Sequence, residues 1–316
     1  MNKILSDIAL SLIIILVGVV ITVGLFYEFI PNQYETNYVS VMYDKYERLH
    51  EVESPKIVLV GDSNLAFGID SGLLQELTGM PVVNMGLHGG LGNDIQSRLA
   101  MSNICEGDIY VLCYTDYSQT EDISQKDLTL LMLANHDELW DEMSVSQKLK
   151  LFPAIPNYIW SSLSYYFSGR GNERIPYECS DYSYAAFDVY GDNKVRIKNN
   201  YRHDLNQSES RVGTISKQMI EMIHSMNSIC EECGATVVIA GYPIIMSSYM
   251  DSADAFCEYG QRIEECTGVE NISDFSDYIM PSELFYDSIL HLSLEGAEYR
   301  TRILAKDISE YKGDIE

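Results

Sequence analysis

The segment Lys56-Ile-Val-Leu-Val-Gly-Asp-Ser-Asn64 decides the fold of this chain. Its apolar, β-branched run stops at Gly61, as a buried parallel strand does at a turn, and Ser63 follows at once. Because ligands bind at the carboxyl ends of strands in open α/β sheets, this position suits a nucleophilic hydroxyl. An ordinary turn is the other interpretation of this segment when it is taken alone.

A second segment, Phe285-Tyr-Asp-Ser-Ile-Leu-His-Leu292, carries an acid and a histidine near the carboxyl end of the chain. A serine hydroxyl is a poor nucleophile until an oriented base removes its proton, and His291 and Asp287 offer these two roles. Residues 293–304 predict a helix that anchors both. Since a lone histidine is also compatible with a surface position, the hypothesis depends on the two segments together.

The sequence Gly61-Asp-Ser63, followed late in the chain by an acid and a histidine, resembles the SGNH/GDSL hydrolase superfamily. This resemblance implies a flavodoxin-like, three-layer α/β sandwich with a parallel sheet. It also implies that Ser63 is the nucleophile, His291 the general base and Asp287 the orienting acid. The commoner spacing, Asp-x-x-His, would place Ser288 in the acid position. The longer spacing here is similar to membrane-anchored members, including relatives of the D-alanyl transfer protein DltD, and favours Asp287.

The donors of an oxyanion hole are expected in the glycine-rich stretch that follows the strand signal at 82–84. Gly86 matches the second block of the family, and we expect its backbone N–H, with that of the serine itself, to hold the oxyanion. The third block, usually Gly-x-Asn-Asp, is missing because the next strand runs into Thr115-Asp-Tyr117. Asn93 is a weaker candidate that fits a helix cap equally well. Asn64 is another, and its alternative is local turn bonding.

The amino-terminal stretch from Ile8 to Phe26 is apolar, uncharged and long enough to cross a bilayer of about 30 Å. A cleaved signal peptide is the competing interpretation, but the stretch is longer than a signal's apolar region and no Ala-x-Ala follows it. Lys3 precedes the stretch, whereas Glu28 and Glu35 follow it. This charge bias predicts a single-pass protein of the cell membrane with an extracytoplasmic catalytic domain and the lipid bilayer as a partner.

The chain is expected to divide into a membrane anchor (1–30), a stem or amphipathic helix (31–54) and one SGNH-like domain (55–316). Strand signals alternate with helical patterns, which predicts a parallel sheet with helices on both faces. The clearest helical pattern is 212–233. The strand signals lie at 57–60, 82–84, 109–114 and 236–240, with a weaker fifth at 269–272.

The interval from about 118 to 211 is too long for one connection in such a sheet, so it predicts an insertion with its own structure. An acid-rich helical part is followed by many aromatic residues. Rings with polar tips suit stacking on a sugar or acyl substrate, which favours a lid over Ser63. A small subdomain core or a membrane-facing surface fits the same residues. They are Tyr158, Trp160, Tyr165, Tyr166, Phe167, Tyr177, Tyr182, Tyr184, Phe187 and Tyr190.

The charge balance is strongly acidic, with 21 basic and 47 acidic residues and a net charge of −26. This charge excludes nucleic acid as a main partner, because phosphate binding needs a basic surface. It also disfavours polyanionic substrates, whereas a neutral glycan or a small ester is compatible. The sequence has no phosphate loop, dinucleotide fingerprint or histidine cluster, and Cys230-Glu-Glu-Cys233 has no second pair nearby. We therefore expect no metal and no cofactor.

Together these patterns predict acyl-ester chemistry by a Ser-His-Asp mechanism. Water as the acceptor would make the protein an esterase, and a sugar hydroxyl would make it an O-acyltransferase. The resemblance implies acyl esters of cell-envelope polysaccharide as the substrate. Two alternatives stay open. One is a lipid esterase or thioesterase, and the other is a catalytically inactive SGNH-like scaffold or glycan-binding module, which the missing third block motivates.

Overall fold

The structure is a computed structural model that describes residues 2–29, 37–118, 123–134, 136–167, 181–196, 210–246 and 252–315. Within these ranges the chain forms an α/β domain and one amino-terminal apolar helix. The helices are α1 (Asn2–Phe29), α2 (Val41–Glu51), α3 (Ser63–Ala66), α4 (Ser71–Thr78), α5 (Asn93–Ala100), α6 (Lys126–Leu133), α7 (Asp137–Asp141), α8 (Val145–Leu151), α9 (Ile155–Phe167), α10 (Lys217–Glu232), α11 (Ala253–Thr267) and α12 (Leu294–Ile315). The strands are β1 (Ile57–Gly61), β2 (Val82–Asn84), β3 (Ile109–Cys113), β4 (Thr236–Ile239), β5 (Ile244–Ile245) and β6 (Ile279–Met280).

The central sheet has the order β2-β1-β3-β4, and its three pairings are parallel. All residues of β1 and β3 are buried. This burial explains their unbroken apolar sequences, because helices cover a parallel sheet on both faces. The predicted α/β class with a parallel sheet is confirmed. The weak fifth strand signal corresponds only to an isolated parallel bridge between Ile239 and Asn271.

Alternate side chains of the strands supply two separate cores, one on each face of the sheet. On one face Leu59 belongs to a buried cluster with Leu304 of α12, and α12 packs against α4. On the other face Val58 belongs to a cluster with Leu99 of α5 and Met219 of α10. The sheet is thus the middle of three layers.

The carboxyl edge of the sheet gathers the predicted polar residues. Helix α3 begins at Ser63 directly after β1, and α5 begins at Asn93 after β2. Thr115 follows β3 at the same edge. Because parallel strands all end on one side, these three residues share the edge at which ligands bind in such folds.

Helix α1 is apolar along most of its length. Its most apolar part lies between Lys3 and Phe26, and no residue of that part is buried in the structure. A helix of 28 residues spans about 42 Å at 1.5 Å per residue, and the hydrocarbon core of a bilayer is about 30 Å thick. The helix is therefore long and apolar enough to cross a membrane.

Helix α2 lies in the segment 31–54, which was expected to form a stem or an amphipathic helix. It is amphipathic, and its buried residues Val41, Met42, Lys45 and Leu49 face the sheet domain. Met42 and Leu49 belong to the same core cluster as the β1 residues on that face. The helix thus packs onto the domain and does not stand apart from it.

The interval 118–211 contains α6 to α9 in its described part, followed by the segment 181–196. This later segment packs against the sheet domain, where the buried Asp192 accepts hydrogen bonds from the backbone N–H and the hydroxyl of Ser71. Among the aromatic residues behind the lid hypothesis, Tyr177 and the side chains of Tyr165 and Tyr166 lie outside the described residues.

Buried tyrosines predict a loss of stability at alkaline pH. Tyr110, Tyr114, Tyr117 and Tyr278 are fully buried, and burial raises the pKa of each above its ordinary value of about 10. Above pH 10 the unfolded state therefore holds fewer protons than the native state, so the free energy of unfolding falls as pH rises. Burial lowers the pKa of Lys45 to about 8, and this group acts in the opposite direction at lower pH. Urea denaturation between pH 8 and 11 should show a midpoint that drops above pH 10, and a midpoint that stays level or rises there would contradict the prediction.

Candidate active site

The turn after β1 is held by the carboxylate of Asp62. One oxygen accepts hydrogen bonds from the backbone N–H of Asn64 at 2.9 Å and from its side-chain amide at 2.7 Å. The other accepts from the hydroxyl of Thr115 at 2.6 Å and from its backbone N–H at 3.3 Å. Asp62 is thus the amino-terminal cap of α3, and Ser63 is its first residue. No described residue accepts a hydrogen bond from the N–H of Ser63.

The loop before α12 places the predicted acid and base on one side of a tight turn. Ser288 accepts hydrogen bonds with its hydroxyl oxygen from the backbone N–H groups of Leu290 and His291, at 3.3 and 3.2 Å. This bonding compacts the three residues between Asp287 and His291, so the longer spacing still brings the two side chains together. Ser288, the alternative acid position, bonds to the backbone instead.

The structure brings the three predicted catalytic residues together. Nε2 of His291 lies 2.9 Å from Oγ of Ser63, and Nδ1 lies 2.7 Å from Oδ1 of Asp287. The side chains of His291 and Asp287 are 12% and 24% exposed, so the site is shielded but open to solvent. Burial would raise the pKa of Asp287, but hydrogen bonds from His291 and Tyr182 outweigh it and hold this pKa below its ordinary value. The acid is therefore ionised at neutral pH.

Two aromatic residues fix the histidine and its acid. The hydroxyl of Tyr182 donates to Oδ2 of Asp287 at 2.5 Å and lies 3.3 Å from Nδ1 of His291. The ring of Phe67 stacks on the His291 ring, with centroids 4.4 Å apart. Tyr182 belongs to the aromatic group noted in the sequence, but its contact with the acid has no sequence signal. Phe67 follows the serine by one helical turn, which is the signal that could have singled it out.

Two buried arginines hold the backbone around the nucleophile. Arg300 of α12 donates to the carbonyl oxygen of Asn64 at 2.8 Å. Arg196 donates to the carbonyl oxygens of Phe67 and Leu292, the latter at 2.8 Å. These guanidinium groups satisfy carbonyls at the end of α3 that have no partner within the helix. The serine turn and the histidine loop are therefore tied to each other through Arg196.

Gly86 lies against the serine turn, but its N–H is already engaged. It donates to the side-chain oxygen of Asn84 at 3.1 Å. A Cβ at this position would lie 2.6 Å from the carbonyl oxygen of Asp62 and 2.6 Å from Cβ of Leu65, so only glycine allows this close approach. Gly86 thus serves close packing in this structure, and its N–H is not free for the predicted oxyanion role.

The two asparagine candidates differ in the state of their amides. Asn64 donates to Asp62 and to the carbonyl oxygen of Cys113 at 2.8 Å, which is the local turn bonding that was its alternative interpretation. Asn93 is buried at the first position of α5, where Gly92 occupies the cap position. Its side-chain oxygen has no partner, and no described residue accepts a hydrogen bond from its amide. Unlike the amide of Asn64, the amide of Asn93 is therefore not held by a described residue.

His88 lies in the same turn as Gly86 and is neutral. Its Nδ1 accepts a hydrogen bond from the backbone N–H of Gly90 at 2.8 Å, so the proton of the neutral ring is on Nε2. Burial lowers the pKa of His88, and the charge of the nearby His291 lowers it further. Its ring lies 5.9 Å from that of Tyr38, which in turn contacts the Tyr182 ring.

Within the described residues, no group of three or more His, Cys, Asp and Glu side chains could hold a metal ion. The six described cysteines are free thiols, including the Cys230 and Cys233 pair.

No relative was found. Comparisons of the chain with models of protein families, with curated proteins and with solved structures gave no match.

Proposed function

We propose that this protein is a serine esterase or O-acyltransferase of the SGNH type that acts on acyl esters of cell-envelope polysaccharide. The observation that carries the proposal is the hydrogen-bonded series from Ser63 through His291 to Asp287 at the carboxyl edge of a parallel sheet. A nucleophile within 3 Å of a base that is itself oriented by an acid is the arrangement that activates a serine.

The reaction proceeds in two halves. Oγ of Ser63 attacks the ester carbonyl while Nε2 of His291 takes its proton, and the same proton passes to the departing alkoxide. The acyl-serine then reacts with water or a sugar hydroxyl, which His291 deprotonates in turn. Asp287 keeps the proton of the neutral ring on Nδ1 and stabilises the imidazolium, and Tyr182 fixes the carboxylate from its other oxygen.

The backbone N–H of Ser63 and the side-chain amide of Asn93 hold the oxyanion in this proposal. Both belong to helices that begin at the same edge of the sheet, and neither group donates to a described residue. The amino terminus of α5 adds favourable partial positive charge at this edge. Asn93 thus substitutes for the asparagine of the missing third block, and Gly86 supports the turn by packing.

The proposed location is the outer face of the cell membrane. Helix α1 is long and apolar enough to cross the bilayer, and the basic residue Lys3 lies in its first turn, at the amino end. The net charge of −26 suits a neutral glycan or small ester better than a polyanion. The envelope polysaccharide as substrate follows from the resemblance of the motifs to those of membrane-anchored SGNH proteins.

The test is labelling of the full chain in detergent with a fluorophosphonate probe, measured by intact mass. We expect one adduct on the wild-type protein and none on Ser63→Ala or His291→Ala. Ser309→Ala is the matched control, because that hydroxyl bonds only to the backbone of α12 and should leave labelling unchanged. Absence of labelling in folded wild-type protein would overturn the proposal and favour a glycan-binding module.

A further inference from the structure

A row of large apolar side chains is exposed along α8 and α9. Val145, Leu149, Phe152 and Trp160 are 73%, 66%, 67% and 71% exposed. Val145, Leu149 and Phe152 are spaced by four and three residues, so they lie on one face of α8 and of the 3₁₀ turn that follows it, and Trp160 comes eight residues later on α9. Single exposed apolar residues are common on proteins, but an aligned row marks an interaction surface.

This row, here called the α8–α9 stripe, is next to the apolar helix. Helix α9 contacts α1. Among the described side chains of α1, Val23 is half-buried and the others are exposed, so the covered part of α1 lies close to Phe26, where the most apolar part ends. If α1 crosses a bilayer, α9 therefore meets it at the depth where hydrocarbon gives way to headgroups.

The residues of the stripe suit that depth. Tryptophan is enriched at the boundary between hydrocarbon and headgroups because its ring is apolar and its N–H is polar. The buried face of the same segment carries Leu151 and Tyr158, so the segment presents one apolar face to the domain and another outward. A surface helix with an outward apolar face can lie in the plane of a membrane interface with that face among the acyl chains.

We propose that the α8–α9 stripe inserts into the outer leaflet of the membrane beside α1 and gives the catalytic domain a second attachment. The occupant of the stripe is the acyl-chain boundary of a neutral or zwitterionic bilayer, because the acidic chain disfavours anionic lipid. The inference rests on the proposed crossing of the bilayer by α1. With two attachments the domain is held in one orientation relative to the membrane.

Tryptophan fluorescence tests this attachment directly, since the chain has two tryptophans. Trp140→Phe leaves Trp160 as the reporter in the stripe. Trp160→Phe leaves Trp140, which packs against the core, as the matched control. Each full-length variant is reconstituted in phosphatidylcholine vesicles with and without bromine on the upper acyl carbons. We expect bromine to remove most of the Trp160 emission and to leave Trp140 emission unchanged.

Two outcomes would overturn the attachment of the stripe without affecting the proposed membrane crossing by α1 or the proposed catalysis. Trp160 emission that is solvent-like and quenched by aqueous iodide would place the stripe in water. Blue-shifted emission that brominated lipid does not quench would mean that protein, such as a second copy of the chain, covers the stripe. If α1 does not cross the bilayer, an alkaline carbonate wash would remove the chain from the vesicles, and this result is distinct from the two above. Failure of the proposed catalysis would show only in the labelling experiment.

Discussion

Replacement of Asp287 by asparagine is expected to slow fluorophosphonate labelling and ester turnover by about 10⁴-fold. The amide of asparagine can donate to Nδ1 of His291, which moves the ring proton to Nε2. That proton then faces Oγ of Ser63, 2.9 Å away, so the imidazole no longer accepts the serine proton. Because asparagine has the same shape as aspartate, the loss of rate would be caused by the changed tautomer of His291 and not by altered packing.

Tyr182→Phe is the comparison for this variant. It removes one hydrogen bond to the Asp287 carboxylate but leaves the histidine tautomer unchanged. A hydrogen bond to a charged group contributes roughly 1.5–3 kcal/mol, so the expected loss is about 10- to 100-fold. The two rates, measured at the same pH on protein with unchanged denaturation midpoints, separate the two roles. An Asp287→Asn rate within tenfold of wild type would remove the acid from the mechanism.

Asn93→Ala is expected to lower kcat by about 10² to 10³ with little change in KM, as the loss of one oxyanion donor does. The reason is that the charge on the oxygen develops only in the transition state, so a donor aimed at it affects the rate more than substrate binding. Fluorophosphonate labelling should slow in parallel, because the phosphonyl oxygen occupies the same place.

Two variants control for the Asn93 result. Asn227→Ala changes a half-buried asparagine of α10 whose side chain bonds to Glu231 one turn later, and it should leave kcat unchanged. Asn64→Ala removes hydrogen bonds that hold the serine turn to Asp62 and Cys113, and it should lower the denaturation midpoint. If Asn93→Ala lowers stability but spares kcat, the amide is part of the core and the oxyanion donor has to be sought elsewhere.

The sheet could be predicted from the sequence because each strand carries its own signal. A strand that is buried on both faces has a continuous apolar sequence. The four stronger strand signals in the sequence form the four-stranded sheet. Helix 212–233 was predicted and forms as Lys217–Glu232, and the helix after the histidine extends beyond 304 to Ile315. Ser63, His291 and Asp287 could be assigned to one site because Ser63 directly follows a predicted strand and the other two directly precede a predicted helix.

The partners of these residues could not be predicted, because they depend on contacts between distant segments. Tyr182 meets an acid 105 positions later, and nothing distinguishes it from its aromatic neighbours in the sequence. The N–H of Gly86 is engaged because the Asn84 side chain folds back two residues along the chain, which a family block does not encode. Arg196 and Arg300 are buried, although charged side chains ordinarily indicate surface.

The bond from Arg300 to the serine turn forms late during synthesis of the chain. The carbonyl oxygen of Asn64 is held by a guanidinium that lies 236 positions later in the chain, and the base arrives only a few residues earlier. When the nascent chain has emerged from the ribosome only as far as β3, it contains Ser63. It still lacks both the base, His291, and the guanidinium of Arg300. With the function proposed above, ester cleavage would therefore begin only after α12 has docked, and a chain still in transit would not act on its surroundings.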